Sequence, residues 1–142
     1  MLPTIRARIA LVAVVSIILT PYLGDVSQAA ECRIAPIKAI RCVRGIVIDP
    51  SGLPISNAKV TILRAGTEFV SIRTNTDGKF SFDRLEAGDY EVQVEEKGFK
   101  TARSPITVVA PASKCKWALR VVLGFGMECD TGIAMVKSKT TQ

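Results

Sequence analysis

The residues of this chain best placed for covalent chemistry are its four cysteines, Cys32, Cys42, Cys115 and Cys129, separated by 10, 73 and 14 positions. Thiolates either ligate a metal or pair with one another. A four-thiolate metal site is normally assembled from closely spaced pairs such as Cys-x-x-Cys; none occurs here, so two disulfides are the expected state, with the pairing left open among three connectivities. The chain has 0 His. That removes the Ser-His-Asp triad, the Cys-His pair, His-ligated zinc and an imidazole general base. Glu95 and Glu96 are adjacent, but neighbouring strand residues point to opposite faces, which suits neither a glycosidase pair nor shared ligation of one ion. Asp83 and Glu86 could converge near a loop, but a calcium site, which takes about six to eight oxygen ligands, is not expected from them. The serines lack a base, and no Gly-x-Ser-x-Gly is present. Trp117 has the surface to stack on a sugar, yet a lone Trp opening a strand reads first as packing. No catalytic residue, metal ligand or cofactor site is expected.

These residues must be carried by a small scaffold. The 142 residues are 48% hydrophobic and 23% charged, the composition of one globular domain rather than a disordered chain. Arg6 and Arg8 precede an apolar run at 9–19 interrupted by Ser16, and Ser27 and Ala29 supply small residues at a cleavage site. The run is short of the ~20 residues needed to span a bilayer, so it reads as a signal peptide at 1–29, removed on export. The remainder divides into an N-terminal extension at 30–41 carrying Cys32, a domain at 42–136 and a polar tail at 137–142. No stable membrane span is expected once the signal is removed. A secreted or periplasmic location suits the even cysteine count, because disulfides persist in oxidising compartments.

From residue 42 onward, period-2 apolar segments alternate with turn residues, and no helical stripe interrupts them. Strands are expected at 42–48, 58–64, 69–75, 80–82, 90–95, 101–103, 106–109 and 117–123. Asp49-Pro50-Ser51-Gly52 ends the first as a tight turn. Asp77-Gly78 reads as a hairpin turn, and Pro105 and Pro111 read as an edge or boundary. Tyr90, Val92 and Val94 alternate with Glu91, Gln93 and Glu95, the cleanest inside-outside pattern in the chain. Seven or eight short strands spaced in this way give an all-β class and a β-sandwich.

Gly45-Ile46-Val47-Ile48, Asp49-Pro50-Ser51-Gly52-Leu53-Pro54 and Asn57-Ala58-Lys59-Val60 are followed by Thr76-Asp77-Gly78-Lys79-Phe80-Ser81-Phe82, Leu85, Gly88-Asp89-Tyr90 and Lys97-Gly98-Phe99. In that order they resemble the carboxypeptidase regulatory-like domain, over about residues 42–109. The resemblance implies a Greek-key, prealbumin-like sandwich akin to transthyretin and to the B-type repeats of bacterial collagen adhesins. It assigns Gly45, Gly52, Gly78, Gly88 and Gly98 to strand starts, turns and bends, and Phe80, Phe82, Leu85 and Tyr90 to the space between sheets. Related sandwiches keep first and last strands adjacent, which favours Cys42 with Cys115 and Cys32 with Cys129 over the local pairs Cys32 with Cys42 and Cys115 with Cys129. The hydroxyisourate hydrolases of this superfamily depend on histidines and a C-terminal Tyr-Arg-Gly-Ser; this chain has neither, so that activity is not expected. The adhesin Lys-Asn cross-link is not expected either, since Asn57 and Asn75 are the only asparagines. Nor do the zinc ligands of the attached carboxypeptidase have counterparts here.

What remains is a binding or accessory role. The 19 Lys+Arg against 13 Asp+Glu give a net charge of +6, dispersed along the chain with too few interleaved aromatics for a nucleic-acid platform. The surface assigned to an anionic partner is Lys97, Lys100 and Arg103 with Lys114, Lys116 and Arg120. The expected function is non-enzymatic binding of a protein or glycan at the cell envelope, or membership of a larger envelope complex. Two tests follow directly from the sequence: N-terminal sequencing of the exported chain is expected to begin at Ala30, and alkylation without reduction is expected to label no cysteine. A chain still starting at Met1, or a labelled thiol, contradicts this reading.

Overall fold

The computed structural model describes residues 34–110, 115–126 and 130–138; the expected signal peptide, Cys32, Cys129, Lys114 and the tail beyond Ser138 lie outside them. Among the described residues the chain forms nine strands: β1 (Ile37–Ile40), β2 (Val43–Ile48), β3 (Lys59–Arg64), β4 (Thr67–Arg73), β5 (Lys79–Phe82), β6 (Gly88–Glu95), β7 (Ala102–Val108), β8 (Trp117–Val122) and β9 (Gly132–Lys137). One sheet has the order β1-β7-β6-β3-β4 and the other β5-β2-β8-β9. This is the all-β sandwich expected. The inner faces are supplied by the period-2 residues: Val60 and Ile62, Tyr90, Val92 and Val94, Phe80 and Phe82, Leu119 and Val121 are all buried, each such side chain contributing about 1.5–3 kcal/mol relative to exposure.

The seam of the second sheet is the parallel pair β2–β8, with Gly45 opposite Leu119 and Ile48 opposite Val122. On its other side β2 pairs antiparallel with β5, Gly45 facing Phe80. Gly45 sits in the middle of β2 rather than at a strand start, and close approach explains it. A Cβ there would collide with the Leu119 carbonyl and the Phe80 ring.

Four features depart from the sequence expectation. Residues 37–40, expected in an extension, form β1, which pairs parallel with β7 and buries Ile37 and Ile40. A register shift between these two, with Ala39 at φ 59°, accommodates their spacing of three, which hid the strand from a period-2 reading. The two short strands expected around Pro105 are one continuous strand, β7, and it lies between β1 and β6. Val109 N–H donates to the Ile40 carbonyl, so by alternation the imide side of Pro105 also faces β1, just where β1 begins. There the Ser104 hydroxyl, 3.2 Å from the Ala35 carbonyl, takes the donor role that Pro105 lacks. Third, the turn at 75–78 is not a hairpin: β4 and β5 border different sheets, and the turn carries the chain across. The Asn75 carboxamide oxygen accepts from the N–H groups of Asp77 and Lys79, and Gly78 supplies φ 70°. Finally, β9 follows the last expected strand and takes in Lys137, expected in the tail.

Replacing Gly45 by Ala is expected to lower unfolding free energy by about 2–3 kcal/mol, because a backbone carbonyl rather than a flexible side-chain tip obstructs the added methyl. Denaturant titration measures this, and a loss below ~0.5 kcal/mol would show that the β2–β8 seam yields readily.

Candidate functional site

At the end of the sandwich where β2 and β8 start, Cys42 and Cys115 form a disulfide with Cα atoms 5.8 Å apart. The parallel register makes this possible, because both cysteines precede the paired strands from the same side. An open cleft of about 760 Å³ lies beside the bridge, walled by Val43, Phe82, Leu85 and Val108 and edged by Arg41, Arg44, Arg84, Asp83 and Glu86. Three arginines and two acidic residues thus border a partly apolar recess.

Each arginine is placed differently. Arg44 lies on β2, opposite Ser81 of β5, and its Nη2 donates to the Cys115 carbonyl at 2.6 Å and to Ser138 Oγ at 3.0 Å. It is a brace between β2, the bridge and the end of β9. Arg41 precedes the disulfide and is exposed, and Arg84 is exposed in the loop between β5 and β6. No ion pair or side-chain hydrogen bond engages either of these two among the described residues. Arg84 stands at φ 63°, a left-handed conformation that costs a non-glycine residue on the order of 1 kcal/mol. Two anchors hold the loop there: Leu85 is buried between the sheets, and the Tyr90 hydroxyl donates to the Glu86 carbonyl at 3.1 Å. Tyr90 is itself packed against Phe69, with ring centroids 6.0 Å apart, and lies under the Arg64 guanidinium at 5.8 Å.

Two carboxyl groups on other parts of the sandwich have lowered pKa values. The Asp49 carboxyl is held below its ordinary value chiefly by the Ser51 hydroxyl, against an opposing effect of desolvation, with the Leu53 and neighbouring N–H groups of its turn adding to the lowering. Glu68 is lowered by hydrogen bonds from Lys59 and Ser71. Among the described residues, no group of three His, Cys, Asp or Glu side chains is arranged to hold a metal ion.

The residues assigned from sequence to an anionic partner do not form one surface. Lys97 lies in the turn after β6, and Lys100 N–H donates to the Gly124 carbonyl, beyond the end of β8. There the rings of Phe99 and Phe125 meet at 5.8 Å. Lys116 precedes the other end of β8, roughly 25 Å from Gly124 at about 3.3 Å per strand residue. Arg103 is paired with Glu91 on the outer face of the first sheet, whereas Arg120 is exposed on the second. Lys114 is outside the described residues.

A family model described as the carboxypeptidase regulatory-like domain matches residues 42–116, more than half of the chain. The chain belongs to the carboxypeptidase regulatory-like domain family. Among solved structures, a 5-hydroxyisourate hydrolase from Klebsiella pneumoniae is 20% identical, with a TM-score of 0.51 over 69% of this chain and 99% of that one. A 3-chlorocatechol 1,2-dioxygenase from Rhodococcus opacus 1CP is 10% identical, with a TM-score of 0.40 over 75% of this chain and 68% of that one. No curated protein matches the sequence. The hydrolase likeness is one of fold, and it agrees with the prealbumin-like sandwich implied by the sequence resemblance. Within this carboxypeptidase regulatory-like domain, the matched positions Gly45, Gly78, Phe80, Phe82, Leu85 and Tyr90 build the frame; the cleft arginines are carried on it. Arg41, Arg44 and Arg84 belong to no motif and share no spacing that marks them in the sequence. Only the β2–β5 register, which puts Arg44 against Ser81 two residues before Asp83, brings them to one place.

Proposed function

We propose that this carboxypeptidase regulatory-like domain is a secreted, non-enzymatic module that binds a protein or carbohydrate at the cell envelope through the arginine-edged cleft. The observation that carries the reading is the pair of exposed guanidinium groups, Arg41 and Arg84, held beside an apolar recess without partners among the described residues. Free arginines on a fixed frame are suited to recognising anionic groups, because the planar fork matches a carboxylate or phosphate. The matched family is regulatory in description rather than catalytic, and a chain with 0 His lacks the commonest general base. Export is supported by the Arg6–Arg8 and Ser27–Ala29 signal pattern and suits the Cys42–Cys115 bridge. Among the described residues no helix is long and apolar enough to cross a membrane.

A second reading, an accessory subunit of a larger envelope complex without a ligand of its own, draws on different residues. Leu53 and Phe125 are 64% and 58% exposed, at the end of the sandwich away from the cleft, and would serve as docking contacts.

A glycan array combined with pull-down from envelope extracts separates the two. Binding lost in the Arg41→Gln/Arg84→Gln variant and kept in Leu53→Ser/Phe125→Ser supports the cleft module; the reverse pattern supports the accessory subunit. Turnover on a panel of peptides, esters and glycosides is expected to be nil, and any turnover that tracks the purified chain would overturn the non-enzymatic assignment.

A further inference from the structure

The lining of the cleft narrows the chemistry of its occupant. Arg41, Arg44 and Arg84 line the same recess as Asp83 and Glu86, so the edge carries both signs, with one positive charge in excess. A polyanion such as a sulfated glycan would meet the two carboxylates as well as the arginines and be repelled by them. A single carboxylate on a partly apolar chain meets less of that repulsion than a polyanion does. Its oxygens reach the guanidinium groups, while its neighbours cover Phe82, Leu85 and Val108.

The backbone beside the cleft is also suited to a peptide. Ser81 and Phe82, which line it, belong to β5, and β5 is the border strand of its sheet, hydrogen-bonded to β2 on one side. Border strands present N–H and C=O groups that an extended chain pairs with, and side-chain pockets next to them give selectivity. On β5 the outward N–H and C=O of Lys79 are bonded to Asn75, which by alternation leaves those of Ser81, which lines the cleft, to receive the chain. β5 is four residues long, so the added strand would be short and would depend on a side-chain anchor for affinity. The two arginines without partners supply that anchor. Arg44 does not, being committed to Cys115 and Ser138.

We propose that the cleft takes an extended acidic peptide segment laid along β5, with a carboxylate of that segment held by Arg41 and Arg84. The proposal rests on the reading of the chain as a binding module and specifies its ligand class. The loop geometry favours it: the backbone at Arg84 is held in its left-handed conformation by Leu85 and Tyr90, so the ligand has to order the side chain but not the loop, which reduces the entropic cost of binding.

The test is to pan a phage-displayed library of random heptapeptides against the exported, oxidised chain and to titrate the best selected peptide into isotope-labelled protein. Selected sequences are expected to carry Asp or Glu. Amide shifts are expected to be confined to residues 41–44 and 79–87. Replacing the peptide's acidic residue by its amide is expected to weaken binding about fivefold or more, and Arg41→Gln/Arg84→Gln about tenfold or more, with the melting temperature of the variant unchanged. Enrichment of peptides without acidic residues, shifts centred elsewhere, or no enrichment at all would overturn the proposal. Displacement of the peptide by a lower concentration of a heparin-derived hexasaccharide would overturn the peptide assignment while leaving a binding module standing. Partner capture from envelope extracts that survives Arg41→Gln/Arg84→Gln removes the cleft from the function altogether.

Discussion

The parallel pairing of β2 with β8 is the constraint on which the second sheet depends. Parallel strands cannot be joined by a short turn, so contacts between residues 45–48 and 119–122 are made across most of the domain. Nothing local brings these segments together. Their pairing is favoured by the inward residues Val43, Val47, Leu119 and Val121, all buried, and it requires the bare Cα of Gly45 where Phe80 and Leu119 close in. The Cys42–Cys115 bridge then ties the leading ends of both strands across a sequence separation of 73. Arg44 adds a charged brace at the same place.

The same fastening that closes the sheet also fixes the cleft. Arg41 stands one residue before Cys42, and Val43 and Arg44 directly after it, so the geometry of this edge follows the bridge. The opposite edge is fixed separately. Phe82 pairs with Val43 across β5 and β2, Leu85 is drawn into the core, and the Tyr90–Glu86 hydrogen bond stops the loop from lifting. The resulting recess has walls set by the core and two exposed charged arms, Arg41 and Arg84, an arrangement in which, on the proposed reading, the fold supplies position and the arginines supply recognition. The family to which the chain belongs accounts for the walls. On the proposed reading, recognition rests on Arg41 and Arg84.

Much of the frame was legible in the sequence because its signals are local. Asp49-Pro50-Ser51-Gly52 forms the turn it spells, with Gly52 at φ 91° and the Asp49 carboxylate accepting from Ser51 and Leu53. Tyr90, Val92 and Val94 alternate because the strand is buried on one face only. The failures were non-local or irregular. β1 was hidden by a register shift at Ala39, and β9 by its position on a sheet border, where Ala134 and Met135 stay exposed. Pro105 suggested a boundary, yet it stands inside β7, because the lost donor faces the point where β1 begins and Ser104 supplies a substitute. The Asp77-Gly78 signal marked a real turn, but sequence does not say whether a turn stays in one sheet or crosses to the other. For the site the gap was wider. The six cations chosen by proximity in the sequence are dispersed over both faces and both ends, so far as they are described, while Arg41, Arg44 and Arg84 converge through a strand register that composition does not reveal.

Whether the bridged β2–β8 seam holds the domain together is most directly read from calorimetric melting of the oxidised chain beside its Cys42→Ser/Cys115→Ser variant. Closing a long loop typically stabilises a fold by about 2–4 kcal/mol, and for a domain of this size that corresponds to a fall of roughly 10 °C in melting temperature when the bridge is removed. A variant that melts within about 2 °C of the parent, a shift worth well under ~1 kcal/mol on the same scale, would contradict the dependence of the sandwich on this fastening.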